Sequence, residues 1–237
     1  MHNGNTYESN DSDDIETLEA EIRDAVAHGS HIQETVHRLT LKAMNAQRID
    51  LESLQRIIKA VMQGVHDGAE LQTQQIANQT QAAKMQITDA VAGLDSALAS
   101  FAEASKLAIE EAAGQAKQFS DQELKRTRSD LEGLESLFLD TLHHTATSAQ
   151  GLVADVLYDL SRHAKNNGTM VGSQLKETLA IFAQQIAAVG QSQLATGATL
   201  AHTTADFVVK IANGVLSGIT DPSKTAHSPN NRPAFRP

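Results

Sequence analysis

Apolar residues recur along this chain at spacings of three and four for most of its length, and that period predicts helix. Ile15, Leu18, Ile22 and Val26 mark one helical face from about Asp13, and Gly29 supplies a C-terminal stop. Ser30 with Gln33 three residues on forms a capping box, after which Ile32, Val36, Leu39 and Ala43 line a second face. Asp50 is a natural N-cap, with Ile49 before it and Leu54 after it at staple positions, and Leu51, Leu54, Ile58, Val61 and Val65 mark a third. Residues 13–66 therefore read as three short helices, closed by the glycines Gly64 and Gly68.

Longer segments come next. The first, residues 69–118, opens in the low-complexity stretch LQTQQIANQTQAAKMQ and sharpens at Val91, Leu94, Leu98, Phe101 and Ala108. The second, residues 121–166, starts after the capping box Ser120 and Glu123 and passes through Leu131, Leu134, Phe138, Leu142, Leu152, Val156 and Leu160. It stops at Asn166, Asn167 and Gly168, residues tolerant of left-handed backbone. The third, residues 169–219, ends before Asp221 and Pro222. At about 1.5 Å per residue these are rods roughly 70–75 Å long, and their short links predict antiparallel neighbours. The expected fold is all-α: a long antiparallel three-helix bundle or coiled coil over 69–219, preceded by the module of three short helices. Residues 1–12 are expected to be a disordered acidic arm and residues 220–237 a disordered Pro-rich tail.

Composition supports helix and narrows function. The 237 residues are 41% hydrophobic and 3% aromatic, with no Cys or Trp. All four prolines, Pro222, Pro229, Pro233 and Pro237, fall near the C-terminal end. The absence of cysteine excludes disulfides, thiolate metal sites and thiol catalysis. The opening MHNGNTYESNDSDD has neither a basic nor an apolar region of a secretory signal, so a cytoplasmic location is expected. No transmembrane segment is expected either, because even the least charged stretch, Thr178 to Ala205, carries Gln184, Gln185, Gln191 and Gln193. A net charge of -10 works against general nucleic-acid binding. The short basic run Lys125, Arg126 and Arg128 is expected to pair along its own helix with Asp121, Asp130 and Glu132.

No catalytic, cofactor or metal site is expected. A carboxylate-bridged di-metal bundle needs two Glu-x-x-His elements and two further inward glutamates. Glu34 with His37 is one such element, and Asp140 with His143 is a loose imitation. Asp155, Asp159 and His163 share a helix face at i, i+4 and i+8, a row that could bind a cation but is more often solvated polar surface. Nucleophile elbows, phosphate-cradling loops and dinucleotide fingerprints are absent.

The anomaly lies in the last long segment. Residues 169–219 hold four charged residues, Lys176, Glu177, Asp206 and Lys210, whereas residues 121–165 hold thirteen. Leu175, Leu179, Phe182, Ile186 and Val189 form a heptad-like seam suited to the core. A second set, Ile181, Leu194, Leu200, Val209 and Leu216, lies elsewhere on the helix and marks a candidate interaction face. Charge is costly against an apolar partner, so the depletion suits a contact with a second copy, another protein or a hydrophobic surface.

The stretch AIEEAAGQAKQFSDQELKRTRSDLEGLESLFLDTL, with Glu110, Glu111, Gly114, Phe119, Ser120, Leu124, Lys125, Arg126, Phe138, Leu139 and Asp140, resembles the central signature of a bacterial all-helical family of unknown function. ANGVLSGI resembles that family's ending, and the resemblance spans about residues 13–220 while implying no activity and no site. In its Ala and Gln abundance and long amphipathic helices the chain is also similar to phasins, which coat polyhydroxyalkanoate granules. The expected function is a non-catalytic, phasin-like, self-associating protein that coats or organises a polymer or lipid surface, located at a granule or membrane surface within the cytoplasm. The alternative is a coiled-coil scaffold or adaptor that binds other proteins, again as a homo-oligomer.

Overall fold

A computed structural model describes residues 6–46, 50–75, 80–114 and 121–196. Among these, seven helices form: α1 (Thr6–His28), α2 (Ile32–Ala46), α3 (Leu51–Gln75), α4 (Thr80–Gly114), α5 (Asp121–Ser148), α6 (Gly151–Asn167) and α7 (Met170–Thr196).

Several ends fall where local chemistry puts them. The Gly29 amide closes α1 by donating to the Ala25 carbonyl at 2.8 Å. Asp50 caps α3, its Oδ1 accepting from the Ser53 amide at 2.9 Å. Other expectations are corrected. Helix α1 begins at Thr6 rather than Asp13, so the acidic arm of residues 1–12 is helical from residue 6 onward. Negative charge is favourable in the first turns of a helix, which lets an acid-rich sequence extend one. Helix α3 does not stop near residue 66 but runs to Gln75, straight through both glycines.

Gly64 and Gly68 are packing positions. A Cβ on Gly64 would lie 2.6 Å from the Glu19 carbonyl oxygen of α1, and one on Gly68 would lie 2.6 Å from that of Arg23. Only hydrogen at these two positions lets the α1 and α3 backbones come so close. Gly93 of α4 plays the same part against the Gln33 carbonyl oxygen of α2, where a Cβ would approach to 2.5 Å.

Residue pairings fix the helix directions. Gly64 meets Glu19 and Gly68 meets Arg23, so α1 and α3 run parallel. Gly93 meets Gln33 while Ser100 meets His37, so α2 and α4 run parallel. Helices α3 and α5 are parallel too: Leu51 lies against Gly133, and Gln55 to Gln63 line one groove with Leu137 to His144. Asp95 meets Met170 and Ala102 meets Thr178, separations of 75 and 76 residues, and Lys84 and Thr88 line a groove with Asp159 and His163. The α6–α7 line is therefore one rod, parallel to α4 and interrupted at Gly168. The architecture is a two-layer stack of three helical hairpins. Helices α1, α3 and α5 form one layer, and α2, α4 and the α6–α7 rod form the other.

The expected single helix over 121–166 is thus two helices, and the chain reverses at Ala149 and Gln150 rather than at residues 166–168. Gly151, at φ 55°, takes the left-handed conformation there. The His143 and Tyr158 rings meet edge to face at 5.8 Å across this hairpin. Gly168, at φ 84°, does end α6, its amide donating to the Ala164 carbonyl, but beyond it the chain kinks instead of turning back. The helix expected over 69–118 is Thr80–Gly114, and of 169–219 the described part is Met170–Thr196. The remainder and the tail of 220–237 lie outside the described residues.

One apolar core runs from Leu18 of α1 to Phe182 of α7, so the N-terminal helices and the long ones share it. Helix α4 lies at its centre, packed on α2, α3, α6 and α7. Its alanines explain how: Ala90, Ala97, Ala102, Ala104 and Ala108 are fully buried. Their small side chains let neighbouring helices approach on several sides while Leu94, Leu98 and Phe101 fill the space between them.

Candidate interaction face

Helix α7 is held at its root by two carboxylates from two other helices. Both oxygens of Asp95, on α4, accept backbone bonds at 2.9 Å, Oδ2 from Met170 and Oδ1 from Val171. Glu135, on α5, accepts from the Thr169 hydroxyl at 2.6 Å, and that hydroxyl oxygen in turn accepts from the Gly172 amide at 2.8 Å. Thr169 is thus the N-cap, and three of the amides a helix leaves unpaired at its start are satisfied. Negative charge also suits the positive end of the helix dipole. Gly172 makes room for this, since a Cβ there would overlap the Glu135 carboxylate.

Below the root, Val171, Leu175, Thr178 and Phe182 are buried, with Leu179 and Ile186 packed against the core. The seam read from sequence is the buried face wherever its side chains are described. Thr178 ties it to α4 by donating to the Ala102 carbonyl at 3.0 Å, and Lys106 pairs with Glu177 at 3.3 Å.

The opposite flank is open. Ala180, Ala183, Gln184 and Ala187, spaced i, i+3, i+4 and i+7, are exposed, and no charged residue occurs after Glu177 as far as Thr196. Of the five residues expected on the interaction face, Ile181 is half-buried and packs against the core, so it helps to seat α7. Leu194 falls within α7, while Leu200, Val209 and Leu216 lie outside the described residues. Sequence reading missed the alanine flank and the carboxylate clasp. For the clasp, the Gly-Thr-x-x-Gly run at 168–172 was the available local signal.

Burial pushes the Asp95 carboxyl above the usual carboxylate range, the nearby Glu135 adds to the rise, and the two backbone bonds oppose it. Glu19 and Asp130 are raised as well, in each case chiefly by burial. A raised folded-state pKa means that the folded chain holds the proton more tightly than the unfolded one. The stability from this difference is complete below the ordinary carboxylate pKa and is lost as pH rises through the raised value. Measured by urea unfolding between about pH 4 and pH 6, the native chain should therefore gain stability relative to Asp95→Asn as pH falls. A difference that stays constant or grows toward neutral pH would contradict the assignment.

Other polar groups make limited chemistry. His37 Nε2 lies 3.2 Å from the Ser100 hydroxyl oxygen, with Glu34 one turn away on α2, and burial lowers the His37 pKa. This imitates a nucleophile and its base. Ser100 sits inside α4, where backbone amides are engaged by carbonyls four residues back, so the amides of its own helix are not free to serve as oxyanion donors. Among the described residues no three His, Asp or Glu side chains stand close enough to share a metal ion. Two members of the basic run pair along α5: Arg128 bonds Glu132 at 2.7 Å and Arg126 lies near Asp130. No described helix is long and apolar enough to cross a membrane.

No curated protein and no solved structure matches this chain. A family model does, over residues 8–224, which takes in the described helices except the first two residues of α1 and runs on past Thr196. The chain belongs to the family of unknown function DUF6781.

Proposed function

We propose that this chain is a non-catalytic helical interaction protein that self-associates through the open flank of α7. The observation that carries the reading is the pairing of a firmly seated helix with a charge-free outer flank at Ala180, Ala183, Gln184 and Ala187. Such a flank favours another helix over a lipid or polymer surface. Alanine and glutamine side chains offer little hydrocarbon for transfer out of water, at about 25 cal/mol per Å² of apolar area, but they allow close backbone approach. This chain already packs its own helices that way at Gly64, Gly68 and Gly93.

Association is expected to appear as a rise of mass with concentration in sedimentation equilibrium. The double substitution Ala183→Glu with Ala187→Glu should hold the protein at its monomer mass without unfolding it, because both positions are exposed. A native chain that stays monomeric across the accessible concentration range would remove the reading. The coating of a polymer or lipid surface stands as a second reading. It is favoured by Leu200, Val209 and Leu216 in a segment whose only charged residues from 197 to 219 are Asp206 and Lys210. Leu194→Lys with Leu200→Lys should then abolish co-sedimentation with polyester or lipid particles.

A further inference from the structure

The interruption at Gly168 has a second result on the layer that carries α4. Below it α7 packs closely along α4, whereas above it α6 stands further off, and a groove of about 490 Å³ opens between them. That volume lies within the range of small-molecule sites. Its floor includes Val156, which is buried, and Leu160, which is half-buried. Its walls bring Lys84 from α4 together with Arg162, His163 and Asn166 from α6, while the Thr88 hydroxyl and the Asn167 amide are already bonded to Lys84 and His163. The one carboxylate in the lining, Asp159, is already bonded to Arg162 at 2.6 Å. Only one of the Arg162 donors is spent there, since a guanidinium carries five N–H groups.

A further detail favours a negatively charged guest. Asn167 Nδ2 lies 3.0 Å from His163 Nδ1, so the amide donates and the imidazole nitrogen accepts. That bond places the ring proton on Nε2 and makes His163 a donor. Lys84 makes no ion pair among the described residues.

We infer that the α4–α6 groove binds a small oxyanion carried on a short apolar stem, with Lys84, Arg162, His163 and Asn166 around the head and Val156 and Leu160 beneath the stem. The net charge of -10 opposes the approach of an anion over distance, so the short-range donors must carry the affinity.

Hexyl phosphate, inorganic phosphate and hexanol are the probes, each titrated into the full-length protein and followed by calorimetry and by amide and side-chain NMR shifts. Saturable binding of hexyl phosphate is expected, with shifts confined to the Lys84–Thr88 and Val156–Asn167 segments, weaker binding of inorganic phosphate and none of hexanol. Lys84→Ala should weaken hexyl phosphate by about tenfold, as loss of a charge-assisted hydrogen bond does. Lys84 is exposed, so an unchanged unfolding midpoint should accompany that loss. Absence of saturable binding, equal binding of hexanol, or an undiminished affinity in Lys84→Ala would each overturn the assignment.

Discussion

Replacing Gly64 and Gly68 together by alanine should cost the fold about 4 kcal/mol, making it the most damaging pair of small substitutions in the N-terminal half. Each added methyl would meet a backbone oxygen of α1 at 2.6 Å, and the Cβ of Ile22 or Val26 at 2.9 or 2.8 Å. Backbone atoms give way less readily than side chains, so the overpacking cost lies at the upper end of the usual range, about 3 kcal/mol each. Alanine returns about 1 kcal/mol each through its better helix propensity. The urea midpoint reports the difference. Gly133→Ala is the control. Its Cβ would meet only the Leu51 methyls at 3.5 Å, an ordinary contact, so propensity should prevail and stabilise the chain by about 0.5–1 kcal/mol. A Gly64→Ala/Gly68→Ala chain as stable as the native one would mean that α1 and α3 do not approach as described.

The second large effect is expected from Asp95→Ala, at about 2–3 kcal/mol. The substitution removes a cap, usually about 1 kcal/mol, and leaves the amide of fully buried Val171 without a partner, a loss of about 1–3 kcal/mol. The damage should be local as well as global. Hydrogen exchange should accelerate from Val171 to Phe182 more than in α1 or α2. Asp95→Asn should fall between the two, since its one carbonyl oxygen still accepts while its amide nitrogen faces a donor. A stability change below about 0.5 kcal/mol, the size of an ordinary surface substitution, would show that Asp95 does not hold the helix.

Much of the fold was legible where the physics is local. The stop at Gly29, the cap at Asp50 and the buried seam through Leu175 and Phe182 depend on residues within a turn or two of each other, and the structure has all three. What failed depends on distant partners. Glycine at a helix end and glycine under a crossing helix look identical along the chain, and the Glu19 and Arg23 carbonyls that distinguish Gly64 and Gly68 lie in another helix. Asn166, Asn167 and Gly168 carry stronger turn chemistry than Ala149 and Gln150, yet the reversal occurs at the weaker signal. Direction after a helix stop is set by what receives the next helix, here Asp95 and Glu135, the former separated from its α7 partners by 75 and 76 residues.

The flank proposed for interaction was half legible for the same reason. Scarcity of charge in residues 169–219 singled out the segment that contains α7, because composition survives without coordinates. It did not say which side of that helix the body would cover. Large apolar residues such as Ile181 look like interface along the sequence, but the core takes them first, and the flank left over is built of alanine and glutamine.

The hairpin stack also makes the molecule uneven along its length. Helices α3 and α4 have neighbours on both sides, whereas α1–α2 and α5–α7 each lean almost wholly on that middle pair. Cooperativity in such an array passes from one hairpin to the next. Loss of an outer hairpin leaves the other with its support, while loosening the centre deprives both of theirs.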